Sequence, residues 1–141
     1  MRFMVMVKAT EDSEASAPPT KELLDQMMAF NRELMAAGVM KGGDGLTPSS
    51  KGVRVRFDGA SRSVIDGPFA ETNELVAGYW LWECASLEEA ISWVKRCPNP
   101  MPGPSEIEIR PIGDLSDFGD IVSPDVATEW QQMKREAGES D

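Results

Sequence analysis

An α+β fold of the split β-α-β kind is predicted by three features of the sequence. The elements run strand, helix, several strands, helix, strand, so two β-α-β halves can interleave in one sheet. Residues 23–34 and 87–94 repeat apolar side chains at three- and four-residue spacings, the mark of helices with one buried face. Residues 2–9 and 75–84 carry apolar side chains on both faces, as strands inside a sheet do. That order of elements is ferredoxin-like, with a hairpin over residues 53–65 as an addition.

In residues 2–9, Phe3, Val5 and Val7 share one face and Met4, Met6 and Lys8 the other, which predicts a central strand covered on both sides. Residues 10–17 are polar, acidic and small, and read as a loop. Pro18, Pro19 and Thr20 open the first helix. Leu23, Met27, Phe30 and Leu34 form its stripe, Leu24, Met28 and Met35 widen it, and Gly38 stops it. A second strand starts at Val39. Its glycines at 42, 43 and 45 predict a bulged or closely approached strand; the G-x-x-x-x-G-K-[ST] pattern of a phosphate loop is missing.

Val53, Val55 and Phe57 alternate with Arg54 and Arg56, as in a half-buried strand; Asp58-Gly59 marks a hairpin turn, and residues 62–65 return. In the long strand, Val76, Gly78, Trp80 and Trp82 face one way and Leu75, Ala77, Tyr79 and Leu81 the other. Gly78 leaves room beside two indoles, for a ligand or for a neighbouring backbone. Ser86 and Glu89 form a capping box for a helix with Leu87, Ala90, Ile91 and Val94 on its stripe and Trp93 beside it. Residues 98–104 are a stiff proline-rich connector, and residues 105–112 are the last strand. Residues 1–112 thus read as one domain. Residues 113–141 are an extension in which Ser123 and Pro124 open a helix carrying Val126, Trp130, Met133 and Ala137. Disorder is expected in the last four residues.

A formal charge of −10, from 14 basic and 24 acidic residues, argues against nucleic acid or an anionic membrane as partner. No apolar run is long enough for a membrane span or a secretory signal, so a cytoplasmic protein is expected. Cys84 and Cys97 lack a C-x-x-C spacing and are expected as free, partly buried thiols. The chain has no histidine, which removes His-based triads, His-ligated metals and the commonest general base; no cofactor is expected.

Acid–base chemistry therefore falls to carboxylates and their neighbours. Asp66 runs into Gly67-Pro68, a pair that forces a bend, and Glu71 and Glu74 follow within nine residues. Paired carboxylates beside a cation can divide acid and base roles. The candidate catalytic residues are Asp66 as base or ligand anchor, Glu71 and Glu74 as second acids, and Arg110 as orienting cation, with Arg54 as a weaker alternative. The competing expectation is a purely structural Asp66–Arg110 ion pair that fixes the bend.

The run DGPFAETNE followed by GYW resembles the DGPF group of the YCII-related proteins. MRFMVMVKA at the start, AAGVMKGGDGLTP after the first helix and EIEIRPI near the end agree in order, so the resemblance covers roughly residues 1–112. It implies a ferredoxin-like fold paired through its sheet into a dimeric α+β barrel, hence a homodimer, with Met4, Trp80 or Trp82 on the face that a second subunit shelters. It also implies a possible association with extracytoplasmic-function sigma factors. Asn73 stands where Lys is common in the group, which removes one positive charge. Relatives outside the group carry a His–Asp pair, and without histidine that mechanism does not transfer. Two functions follow as expectations. One is a small isomerase, lyase or hydrolase working by carboxylates on a small organic molecule; the other is a non-catalytic ligand-binding or regulatory protein.

Overall fold

The computed structural model describes residues 1–139 and divides into two compact units, Met1–Pro111 and Ile112–Asp141. Among the described residues no helix is long and apolar enough to cross a membrane. The first unit is α+β. Strands β1 (Arg2–Lys8), β2 (Met40–Gly45), β5 (Val76–Glu83) and β6 (Ile107–Pro111) form one sheet in the order β2-β5-β1-β6. All neighbours in it are antiparallel, an arrangement compatible with the ferredoxin-like split β-α-β pattern. Strands β3 (Val53–Asp58) and β4 (Ser61–Asp66) pair only with each other.

The register explains the core. Phe3 lies opposite Trp82 and Val5 opposite Trp80, while Ile109 flanks Val5 on the other side. These side chains share one face, against which Phe30 and Leu34 of α2 (Lys21–Ala36) and Ala90 of α3 (Leu87–Arg96) are buried. Phe30 meets Trp80, Trp82 and Trp93 edge-on, with ring centroids 6.2, 6.4 and 6.4 Å away. Both tryptophans of β5 therefore point to the helices, which corrects their expected place on the sheltering face for a second subunit. Met4, Met6, Tyr79 and Leu81 occupy the opposite face and are only half-buried, so the helices of this unit cover β1 on one side, not two.

Local chemistry sets the boundaries. Thr20 caps α2 by accepting from Leu23 N at 3.1 Å, and Gly38 takes φ +72° after its last turn. The helix stripe is narrower than its sequence suggests: Leu24, Met28 and Met35 are exposed. Leu87 and Ile91 of α3 are also exposed, leaving Ala90 buried with Trp93 and Val94 packed beside it. Ser86 caps α3 through Glu89 N, but the Glu89 carboxylate accepts from Ala85 N rather than from the cap residue itself. Residues 10–17, read as loop, contain one helical turn, α1 (Glu11–Glu14). It is closed by reciprocal bonds between Thr10 and Ser13, and a turn that buries nothing leaves no apolar period to detect.

Glycine shapes β2 as expected. The strand bulges between Met40 and Gly42, and a Cβ on Gly43 would sit 2.7 Å from the Tyr79 carbonyl oxygen. The space above Gly78 is taken by the β2 backbone, 3.3–3.4 Å from where its Cβ would be. The β3–β4 hairpin departs from expectation: Val53, Val55 and Phe57 are exposed, Phe57 by 71%, because nothing in the unit packs behind a sheet of two strands. Its turn residues are Gly59 and Ala60, with φ positive at Gly59 alone.

In the second unit, Asp114 caps a short 3-10 segment, Leu115–Ile121. Ser123 caps α4 (Pro124–Glu136), accepting from Val126 N at 3.2 Å. Val126, Trp130 and Met133 form an exposed apolar edge on it. Of the four terminal residues expected to be disordered, Gly138 and Glu139 donate to the carbonyls of Arg135 and Lys134. Ser140 and Asp141 lie outside the described residues.

Candidate ligand-binding site

A cleft of about 840 Å³ opens in the first unit. Leu23, Met27 and Asn31 line it from α2, Met40 and residues 43–45 from β2, and residues 77–80 from β5. Residues 12–13 of α1, the segment 16–20 and the connector 99–102 complete its wall. Helical periodicity puts Leu23, Met27 and Asn31 on one face, one turn apart. Asn31 Oδ1 accepts from Trp80 Nε1 at 3.0 Å, so the buried indole has its acceptor at the cleft wall. The connector is organised by Asn99, whose side chain bonds Gly103 O, Met101 N and Ser105 Oγ. Thr10 Oγ1 donates to Met101 Sδ at 3.4 Å, which joins the α1 segment to the connector.

The Gly67-Pro68 corner anchors the same segment from the other side. The Glu14 carboxylate at the end of α1 accepts from Ser49 N at 2.8 Å and from the Ser49 hydroxyl. Ser49 Oγ in turn accepts from Phe69 N at 3.1 Å, and Gly67 N donates to Gly52 O at 2.9 Å. Any Cβ on Gly67 would overlap the Ser49 carbonyl. The peptide between Gly67 and Pro68 is cis. Arg54 stacks on Phe69, its guanidinium carbon 3.8 Å from the ring centroid. The motif thus works as a clasp between the hairpin foot and the segment that borders the cleft.

The predicted site residues are distributed over three places. Asp66 is exposed at the foot of β4, opposite Val53, and makes no ion pair among the described residues. Arg110 is on edge strand β6 and pairs with Glu108 at 3.2 Å, so the structural Asp66–Arg110 pair is not formed. Glu71 and Glu74 border a second, polar hollow of about 550 Å³ with Lys8, Glu11, Glu106 and Glu108. There the Lys8 side chain is 16% exposed, and its Nζ donates to Glu74 O at 3.4 Å and lies 3.8 Å from Glu108. Arg54 belongs to the clasp.

Asn31, Glu14 and Ser49 were not singled out by sequence reasoning. Asn31 left a signal, because it falls four residues after Met27 and three before Leu34, a polar side chain on an apolar stripe. Glu14 and Ser49 left none, being acidic and hydroxyl residues in polar loops. Both cysteines are free. Burial pushes the Cys97 thiol up to about 11; burial, and then Glu89, raise that of Cys84, so neither is an activated nucleophile.

The YCII-related domain model matches residues 1–115, which include the cleft, the corner and the polar hollow. An uncharacterised protein of Rhizobium meliloti (strain 1021) is 32% identical over 92 residues, spanning 65% of this chain and 74% of that protein. With a family model matched over most of its length, the chain belongs to the YCII-related family.

Proposed function

We propose that this protein binds a small, largely apolar organic molecule in the cleft between α2 and the β2–β5 side of the sheet. The observation that carries the reading is the cleft itself: about 840 Å³, walled mostly by apolar side chains, with a few polar groups such as Asn31 at fixed places. The DGPF corner takes part by clasping the bordering segment rather than by presenting Asp66 to the ligand.

The test is an NMR titration with a neutral probe, 4-phenylbutan-1-ol, following the Trp80 indole N–H. A saturable shift is expected, with affinity reduced at least tenfold in Leu23→Trp, whose ring would occupy the cleft. No saturable shift at millimolar probe, or one unaltered in that variant, overturns the reading.

Catalysis by carboxylates on a small molecule is the second reading. It draws support from the polar hollow, which Glu71, Glu74 and Glu108 border together with Lys8, the Glu108 carboxylate lying 3.8 Å from the Lys8 ammonium. Product formation from a bound compound would select the enzyme. Co-purification with a sigma factor without turnover would select the regulator expected from the family resemblance.

The protein further pairs, in this proposal, through the half-buried sheet face of Met4, Met6, Tyr79 and Leu81, as a dimeric α+β barrel. Leu81→Asp places a charge in the middle of that face and is expected to convert a dimer to a monomer in sedimentation. A wild-type monomer at tens of micromolar would overturn the pairing.

A further inference from the structure

We infer that the cleft takes an amine: an apolar body carrying a positive charge at the mouth. The inference rests on the cleft reading above and adds the sign of the ligand's charge. Among the described residues bordering the cleft, Asp12 and Asp44 are the only charged ones, and neither Lys nor Arg is present. Asp12 comes from α1 and Asp44 from β2, so the two carboxylates belong to different walls and are both exposed. An organic acid would have to shed water beside two like charges with no cation to answer it.

The remaining polar side chains, among them Ser13, Thr20, Asn31 and Asn99, are neutral and supply no full charge. One feature favours an anion, the N-terminus of α2. It is already answered: Thr20 Oγ1 takes the Leu23 amide, and Glu22 sits in the first turn. The apolar wall suits an amine's body. Met27, Met40 and Met101 are adaptable thioethers, and an indole ring, that of Trp80, attracts cations. A chain charge of −10 raises the local concentration of cations around the mouth as well.

Three probes on one skeleton separate the possibilities: 4-phenylbutylamine, 4-phenylbutan-1-ol and 4-phenylbutyrate, titrated into the full chain at pH 7 and followed at the Trp80 indole N–H. The amine is expected to bind at least tenfold more tightly than the acid, with the alcohol between them. In the double variant Asp12→Asn, Asp44→Asn the amine is expected to fall to within twofold of the alcohol. Both positions are exposed, and the alcohol's own affinity checks that the cleft is intact. An acid that binds as well as the amine, or an amine advantage that survives the double variant, overturns the inference and leaves cleft binding standing. Failure of all three probes overturns both.

Discussion

Trp82→Ala is expected to lower stability by about 3–5 kcal/mol, read from denaturant unfolding. Trp82 is fully buried, lies opposite Phe3 in the sheet register, and packs on Phe30 and Trp80. Truncation to alanine would leave a hole at the meeting point of α2 and the two central strands, where neighbours on a sheet and a helix cannot easily close in. Its indole adds a second effect. Among the described residues Trp82 Nε1 has no hydrogen-bond partner, and an unpaired buried donor costs about 1–3 kcal/mol. Trp82→Phe removes that donor and only part of the volume, so its cost is expected to be less than half that of alanine. Equal losses in the two variants would show that the indole nitrogen is satisfied, for example by water. Trp80 is the control, because its Nε1 has Asn31.

Gly67→Ala is the second substitution with a large expected effect, about 3 kcal/mol. The added methyl would overlap the Ser49 carbonyl and come within 2.7 Å of its carbonyl carbon, and neither is a flexible side-chain end that can swing away. Relief requires the Ser49–Gly52 segment to move, which undoes the Gly67 N to Gly52 O bond and the Glu14–Ser49–Phe69 chain. Lower affinity for a cleft ligand should accompany the loss of stability, since Asp12 and Ser13 lie on the clasped segment. Glu14→Gln weakens the same clasp without any overlap, so it should reproduce the affinity loss with a smaller stability change. A Gly67→Ala protein within 0.5 kcal/mol of the parent would mean that the corner carries no such constraint.

Most of the sheet and helix framework was legible because burial imposes a period. Strands β1 and β5 alternate, α2 and α3 carry stripes, and glycine or serine marks their ends. Legibility failed where burial does not reach. Val53, Val55 and Phe57 alternate as a half-buried strand would, yet no layer lies behind them. Leu24, Met28 and Met35 look like an extended stripe, but the sheet meets only the Phe30–Leu34 side of α2.

The site was harder. Asp66, Glu71 and Glu74 are close in sequence and Arg110 offers the opposite charge, but β6 and the hairpin foot belong to different parts of the unit. Arg110 is taken by a neighbour two residues away. The cleft could not be read directly, because it is a gap between elements and has no residue pattern of its own. The Asn31 interruption, Gly43 and Gly45 of β2 and Gly78 of β5 were the hints, and all of them lie along its wall.

Strand β2 has one further consequence, for the order in which the wall is built. Four of its residues, Gly42, Gly43, Asp44 and Gly45, bring only one side chain between them, and its only partner is β5. Glycine loses the most backbone freedom on ordering and offers no apolar area in return. This rim of the sheet therefore assembles late and frays first, and its amides should exchange with deuterium ahead of those in β1. The cleft inherits a compliant side opposite the rigid aromatic cluster, a margin made of missing side chains.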